Sequence, residues 1–193
     1  MKTFLGIPDD SFIRGKIPMT KQEIRILTIA KLCLPEDGVI ADIGAGTGSI
    51  SIEAALQMPK GHVFSIERKQ EGIDLIKANS AKFEVNNITV IEAEAPDGMA
   101  ELPELDAAVI GGSGSKLSPI LDLLDRKLKH GARLVLNCVT LQTISQASDW
   151  LRKAKEEYIY EIIQVQVNRW DQIGPYDMAK ALNPIFILTA VKK

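Results

Sequence analysis

Ten residues constrain this chain more than any others: Val39 to Gly48 reads V-I-A-D-I-G-A-G-T-G. An apolar, β-prone stretch carrying Asp42 runs into three glycines at alternate positions, Gly44, Gly46 and Gly48. A helix-compatible stretch then begins at Ser49. Glycine tolerates positive φ and lets backbone approach a ligand closely. A strand that turns through glycines into a helix N-terminus is a nucleotide-type binding device. An acid supports it. Residues 61–67, G-H-V-F-S-I-E, read as a buried strand ending in Glu67. That is about 20 residues past the turn, where a carboxylate meets ribose hydroxyls. Alone, Glu67 would read as a solvated strand-end charge and the glycines as a plain turn. Together they read as a ligand site.

The glycine spacing separates two versions of this device. A dinucleotide fingerprint is G-x-G-x-x-G/A, and here Ser49 falls where its last small residue belongs, with Gly48 one place earlier. Asp42, two residues before the first glycine, suits a ligand whose head carries an ammonium and a sulfonium rather than a pyrophosphate. The run resembles motif I of the class I S-adenosylmethionine (SAM) methyltransferases. The resemblance implies SAM as cofactor, with Asp42, Gly44, Ala45, Gly46, Thr47, Gly48 and Glu67 in its site.

Around the motif the pattern alternates strand and helix, which favours a parallel sheet covered on both faces. Thr20-Lys21-Gln22-Glu23 fits a capping box, with Thr20 as N-cap of a first helix whose stripe is Ile24, Leu27 and Leu32. Strands are expected at 39–43, 63–67, 88–92, 106–110 and 132–139. Helices are expected at 49 to about 58, 70 to about 83, from Ser118-Pro119 onward, and 141 to about 154. The alternation then stops, and residues 158–168 and 185–191 are two long β-prone runs. The fold expected is α/β and Rossmann-like, the class I SAM methyltransferase fold. Its seven-stranded sheet is mostly parallel with an antiparallel last strand and helices on both faces. All 193 residues read as a single domain: an N-terminal segment and helix (1–34), a cofactor-binding core (35–154) and a terminal strand pair (155–193).

Net charge is −2, so the chain has no overall basic field for nucleic acid. No apolar run approaches the roughly 20 residues of a membrane span. Residues 1–10 lack the apolar core of a signal peptide, so a cytoplasmic location is expected. Cys33 and Cys138 sit in apolar surroundings and read as buried free thiols, without zinc-site spacing, so no metal is expected. No nucleophile elbow, metalloprotease helix or Walker lysine is present. His62 and His130 read as surface or capping groups. No catalytic residue is identifiable, and methyl transfer from an activated donor needs mainly alignment and exclusion of water. The fourth strand ends in Ile110-Gly111-Gly112-Ser113, without the prolines and aromatic of amino-methylating nucleic-acid enzymes. Such a turn could receive carboxylates on its free N–H groups.

Five segments carry a closer resemblance: residues 6–12, 18–25, 42–48 and 110–114, and Asn137-Cys138-Val139-Thr140-Leu141. They resemble the decarboxylating cobalt-precorrin C15-methyltransferase (CbiT) family of cobalamin biosynthesis. The resemblance implies methylation of a tetrapyrrole at C-15 with loss of carbon dioxide from the ring C acetate. It implies a homotetramer, and association with a C-5 precorrin methyltransferase is open. It places Thr20 at the amino-acid end of SAM, and Glu94 and Ala95 near adenine. The segment 93–96 reads A-E-A-P where the family has Gly-Asp-Ala-Pro, and Gln142 stands where an acid is common, so Gln142 is given no role. A basic cluster, Arg14, Lys16, Lys21 and Arg25, is the candidate for pinning substrate carboxylates. Gly111, Gly112, Ser113 and Asn137 are further substrate candidates, and Lys116 and Arg169 weaker ones. Residues 170–178, W-D-Q-I-G-P-Y-D-M, read as a lid or, by preference, an assembly surface. Competing readings are an RNA or protein side-chain methyltransferase and a non-catalytic SAM-binding subunit.

Overall fold

The computed structural model describes residues 5–193; residues 1–4, part of the stretch read above for a targeting signal, lie outside the described residues. After a 3-10 turn at Asp9–Ser11, the elements alternate as expected. They are α1 (Gln22–Leu32), β1 (Val39–Ile43), α2 (Ser49–Gln57), β2 (His62–Glu67), α3 (Gln70–Lys82), β3 (Ile88–Glu92), β4 (Leu105–Ile110), α4 (Leu117–Lys127), β5 (Leu128–Cys138) and α5 (Leu141–Lys153). The chain ends in β6 (Tyr158–Val165), β7 (Asn168–Ile173), β8 (Tyr176–Ala181) and β9 (Ile185–Lys192).

Seven strands form one sheet in the order β3-β2-β1-β4-β5-β9-β6. The first five are parallel, and β9 enters antiparallel between β5 and β6. From β1 the chain runs outward through β2 and β3, then crosses back so that β4 lies on the other side of β1. That reversal opens a crevice beyond the carboxyl ends of β1 and β4, where ligands bind in open α/β sheets.

Alternation along the strands divides the core into two layers. Ile40, Val63, Val109, Val135 and Ile187 pack with Ile24, Ile29, Leu32, Ile50 and Ile52 of α1 and α2. Ile43, Ile66, Ile110, Leu134, Leu136 and Leu188 pack on the other face with Leu117, Ile120, Leu124 and Leu151 of α4 and α5.

Several local expectations change: β5 starts at Leu128 rather than 132, and the run 158–168 divides into the end of β6 at Val165 and the start of β7 at Asn168. Helix α1 starts one residue later than the capping box implies: its N-cap is Lys21, with no side-chain cap bond, and Thr20 is not the cap. Glu23 is instead drawn to Arg169, which donates to both its oxygens at 2.9 and 2.8 Å. Helix α4 starts earlier, with Lys116 as N-cap, so Pro119 sits in the first turn, where a missing N–H costs nothing. Cys138 is buried as expected, but Cys33 is exposed, since it is the left-handed C-cap at φ 48°, where α1 ends.

Between β6 and β9, strands β7 and β8 form a separate two-stranded hairpin. Gly174 at φ 60° and Pro175 make its two-residue turn, with the glycine where a type II′ turn requires it. Trp170, Ile173, Tyr176 and Met178 on this hairpin are exposed, Tyr176 to 71%.

Candidate cofactor and substrate site

The parallel register of β1 with β2 pairs Ile43 with Ile66, so the glycine turn and Glu67 emerge side by side. Glu67 is buried and its carboxylate braces that turn. Gly46 N donates to Oε2 at 2.9 Å, while Arg68 N and Lys69 N donate to Oε1, each at 2.9 Å. A carboxylate has about four acceptor positions, so one remains for a ligand hydroxyl.

Gly44 lies at φ 70°, and a Cβ there would come within 2.4 Å of Gly112 O. Only glycine allows the β1 and β4 turns to approach so closely. Gly48, at φ 76°, is the N-cap from which α2 departs.

Asp42 is 1% exposed. Ser51 Oγ donates to its Oδ2 at 2.6 Å, and Ser65 Oγ donates to Ser51 Oγ at 2.7 Å. Its other oxygen, Oδ1, is buried with no partner, as is Thr47 Oγ1. Burial pushes the Asp42 carboxyl up to about 6; the Ser51 hydrogen bond opposes this and the Glu67 charge adds to it. The folded chain therefore keeps a proton on Asp42 that the unfolded chain loses near pH 4. Between about pH 4 and pH 6 the folded state binds more protons, so stability falls as pH rises through that window. Two pK units correspond to roughly 3 kcal/mol. Asp42→Asn is expected to flatten this slope in denaturant melts between pH 4 and pH 7; an unchanged slope would assign it to other groups.

Two cavities flank the glycine turn and share Pro18, Gly44, Gly46 and Gly111. The smaller, about 250 Å³, is lined on one side by Glu67, Arg68 and Lys69 and on the other by Glu94, Ala95, Gly112 and Ser113. The larger, about 460 Å³, holds Thr20, Lys21, Asp42, Ala45, Thr47 and Asn137. Part of its lining is mostly apolar, Val139, Val165, Val167, Leu182 and Ile185 with Asn183 among them.

Most of the residues singled out from sequence thus meet around one crevice. Three of the basic group do not. Arg14 and Lys16 are exposed and line neither cavity. Arg25, expected to reach a substrate, is 0% exposed and fully engaged inside the protein. Its Nε donates to Glu53 Oε1 at 2.5 Å, and Nη1 donates to Asp9 Oδ1 at 3.2 Å and Thr20 O at 2.6 Å. Nη2 donates to Ile7 O, and the guanidinium lies 4.7 Å from the Phe12 ring centroid. Of that group, Lys21 alone lines a cavity, with Nζ 3.8 Å from Asp9. Glu94, expected to face adenine, accepts from Arg68 at 2.5 Å and Lys116 at 3.1 Å, and these cations, Lys116 first, hold it below the usual carboxylate range.

Several important residues carry no sequence signal. Asn79, 0% exposed, exchanges hydrogen bonds with Ile13 N and O and donates to Thr47 O at 3.0 Å. It pins the N-terminal segment against the glycine turn. Glu53 accepts from Gly6 N and Ile7 N at 3.1 and 2.9 Å. With Arg25 these clamps hold residues 17–21 as a wall of both cavities.

Among the described residues, no helix is long and apolar enough to cross a membrane. The sheet order, the antiparallel β9, the glycine turn and the acid at the end of β2 together define the class I SAM methyltransferase fold. Within that class the chain belongs to the precorrin methyltransferase family, whose sequence model, the precorrin methyltransferase domain, matches residues 10–192. It is 40% identical over 190 residues to a probable cobalt-precorrin-6B C(15)-methyltransferase (decarboxylating) of Sulfurisphaera tokodaii, covering 97% of each chain. It is 34% identical to the cobalt-precorrin-6B C(15)-methyltransferase (decarboxylating) of Salmonella typhimurium, covering 96% of this chain and 95% of the relative. The crystal structure of precorrin-6y C5,15-methyltransferase from Geobacter metallireducens superposes with a TM-score of 0.91 at 42% identity, covering 97% of this chain and 98% of that one.

Proposed function

We propose that this chain transfers a methyl group from SAM to C-15 of a cobalt-precorrin-6B type tetrapyrrole and removes the ring C acetate carboxyl as carbon dioxide, in cobalamin biosynthesis. One observation carries this reading. The chain matches decarboxylating relatives almost end to end while its glycine turn opens onto paired cavities large enough for a cofactor and part of a macrocycle.

The residues present fit SAM. Asp42 Oδ1 and Thr47 Oγ1 are buried polar atoms without partners, beside a turn that only glycine can make. Asp42 and Thr47, with Thr20, would hold the zwitterionic head; Gly44, Ala45, Gly46 and Gly48 shape the turn. Glu67 would accept from the ribose, and Glu94 and Ala95 would flank adenine. When bound, the cofactor supplies an electrophilic methyl group. A reduced tetrapyrrole is an electron-rich carbon nucleophile, so the protein's part is to align it and exclude water. The larger cavity, with Val139, Val165, Val167, Leu182 and Ile185, suits a macrocycle face; Lys21 and Gly111 on that cavity, and Gly112 and Ser113 at the edge of the smaller one, would meet its carboxylates.

Anaerobic incubation with SAM and cobalt-precorrin-6B, followed by mass measurement, tests the reading. The product is expected to gain one methyl and lose one carbon dioxide. SAM binding without any change in the tetrapyrrole would leave a non-catalytic SAM-binding subunit.

The protein is further read as one cytoplasmic domain that assembles as a homotetramer. A lone hairpin is marginal in water, and exposed Trp170, Tyr176 and Met178 are residue types that interfaces favour. Association with a C-5 precorrin methyltransferase belongs to the same reading.

A further inference from the structure

Glu94 follows β3 at one edge of the sheet, yet it is held by partners from two other loops. Arg68, just after β2, donates from Nη1 to its Oε1, and Lys116, the N-cap of α4, donates from Nζ to its Oε2 at 3.1 Å. In the sheet order β3 and β4 are separated by β2 and β1, about 14 Å at the usual strand spacing. The 93–97 and 111–116 loops therefore lean together over the ends of β2 and β1, where Glu67 and the glycine turn emerge. Arg68 and Glu94 line the smaller cavity, and Lys116 reaches Glu94 from the loop whose glycines form its other side. That loop comes so close that a Cβ on Gly114 would lie 3.2 Å from Glu94 Oε1. The backbone around Glu94 is fixed separately: Ala93 N donates to Glu67 O at 3.1 Å, and Asp97 N to Glu94 O at 2.9 Å. The two cations thus decide where the carboxylate points, not where its loop runs. A carboxylate has about four acceptor positions, and the cations take two. Two remain, on a side chain that lines the cavity.

We propose that Arg68 and Lys116 are positioning residues for cofactor choice: they hold the Glu94 carboxylate across the smaller cavity so that its remaining lone pairs select a base carrying an amino group. The inference rests on the reading that SAM occupies this crevice with Glu94 beside adenine, and it adds what makes Glu94 selective. An amino group donates to the carboxylate. A carbonyl in the same place presents a second acceptor, and two acceptors repel unless the side chain turns away. An unheld glutamate turns away at little cost, because its long arm has many rotamers. Glu94 must first break a hydrogen bond to a cation, and its partners sit on different loops. The same cations, Lys116 above all and then Arg68, favour its ionised form, which accepts and does not donate. Glu94 stands where the resembled family has the shorter aspartate, and its extra methylene is the freedom that this bridge removes. Lys116, a weaker substrate candidate from sequence, becomes a residue of the cofactor side.

Calorimetric titration of the whole protein with S-adenosylhomocysteine and with its deaminated counterpart, S-inosylhomocysteine, tests this. Both carry the same amino-acid end and ribose, so the ratio of their affinities reports on the base alone. The wild type is expected to prefer the adenosyl compound by about tenfold or more, the scale of one hydrogen bond to a charged group. With Arg68→Met and Lys116→Met combined, the preference is expected to fall to about twofold or less, because the carboxylate can swing away from either base. Each single variant falls between and serves if the double variant does not fold, while Lys116→Arg keeps most of the preference. Exposed ion pairs add little stability, so Tm is expected to stay within about two degrees in each variant. An unchanged preference in the double variant would overturn the assignment. So would an equal loss of affinity for both compounds, the mark of a merely structural bridge. A wild type that binds both compounds equally would overturn it too, with SAM binding left intact. A wild type that does not bind S-adenosylhomocysteine would remove the SAM reading and this inference with it.

Discussion

Arg25→Met is expected to cost the fold about 3–5 kcal/mol, the range for removing one partner of a buried ion pair. The guanidinium is the centre of a closed cluster. It is surrounded by Glu53 at 1% exposure, Asp9, two backbone carbonyls and the Phe12 ring. Methionine fills much of the volume but leaves the Glu53 and Asp9 carboxylates in a site that cannot hydrate them. For a chain of this length that is a fall in Tm of roughly 6–20 °C. Adding Glu53→Gln is expected to recover part of the loss, because it removes one stranded charge. Arg25→Lys keeps the charge but cannot reach four acceptors with one ammonium, so it falls between. Thermal melts of the four proteins decide the matter. A fall in Tm of only a degree or two in Arg25→Met would show that Glu53 and Asp9 become neutral at little cost.

The second large effect is on ligand binding. Glu67→Gln is expected to weaken SAM binding by about tenfold to a hundredfold, since a hydrogen bond to a charged group contributes about 1.5–3 kcal/mol. Glu67 accepts from Gly46 N, Arg68 N and Lys69 N through both oxygens. An amide keeps one acceptor oxygen and places an NH₂ group against backbone donors, so at least one of these bonds must fail whichever way it turns. The glycine turn then loses its brace on the side of the smaller cavity, and the charged acceptor proposed for the ribose is gone. Calorimetric titration with SAM measures the change, and a near-neutral melting temperature shows that the fold survives. Affinity within a few fold of wild type would mean that the turn is held by its own backbone bonds, such as Gly44 N and Ala45 N to Ile66 O.

Stretches where one local rule decides the conformation were readable in advance. Strands β1 and β3 and the start of α2 fall where apolar runs, glycines and Ser49 placed them. Glu67 was legible as a partner of the glycine turn because parallel pairing of β1 with β2 brings adjacent strand ends together. The start of α1 is not local: Arg25 engages the Thr20 carbonyl and Arg169 engages Glu23, partners that the capping-box pattern does not contain. The composition of residues 170–178 marks them as unusual, but their hairpin pairing depends on the Gly174-Pro175 turn and is separate from the main sheet.

From its order of residues alone, this chain specified a strand-turn-helix for a nucleotide-like ligand, an acid beside it and a parallel sheet to hold both. These are short-range patterns, set by backbone geometry and hydrophobic period. The three-dimensional packing decided which charges face a ligand and which serve the interior. Arg25 and Lys21 are four residues apart and chemically alike, yet one is sealed between Asp9 and Glu53 and the other lines a cavity. The larger cavity likewise joins Asn137 and Val139 at the end of β5 with residues from 165 to 185, which the insertion of β9 between β5 and β6 brings together. Burial is a property of neighbours distant in the chain, so no local pattern could have carried it.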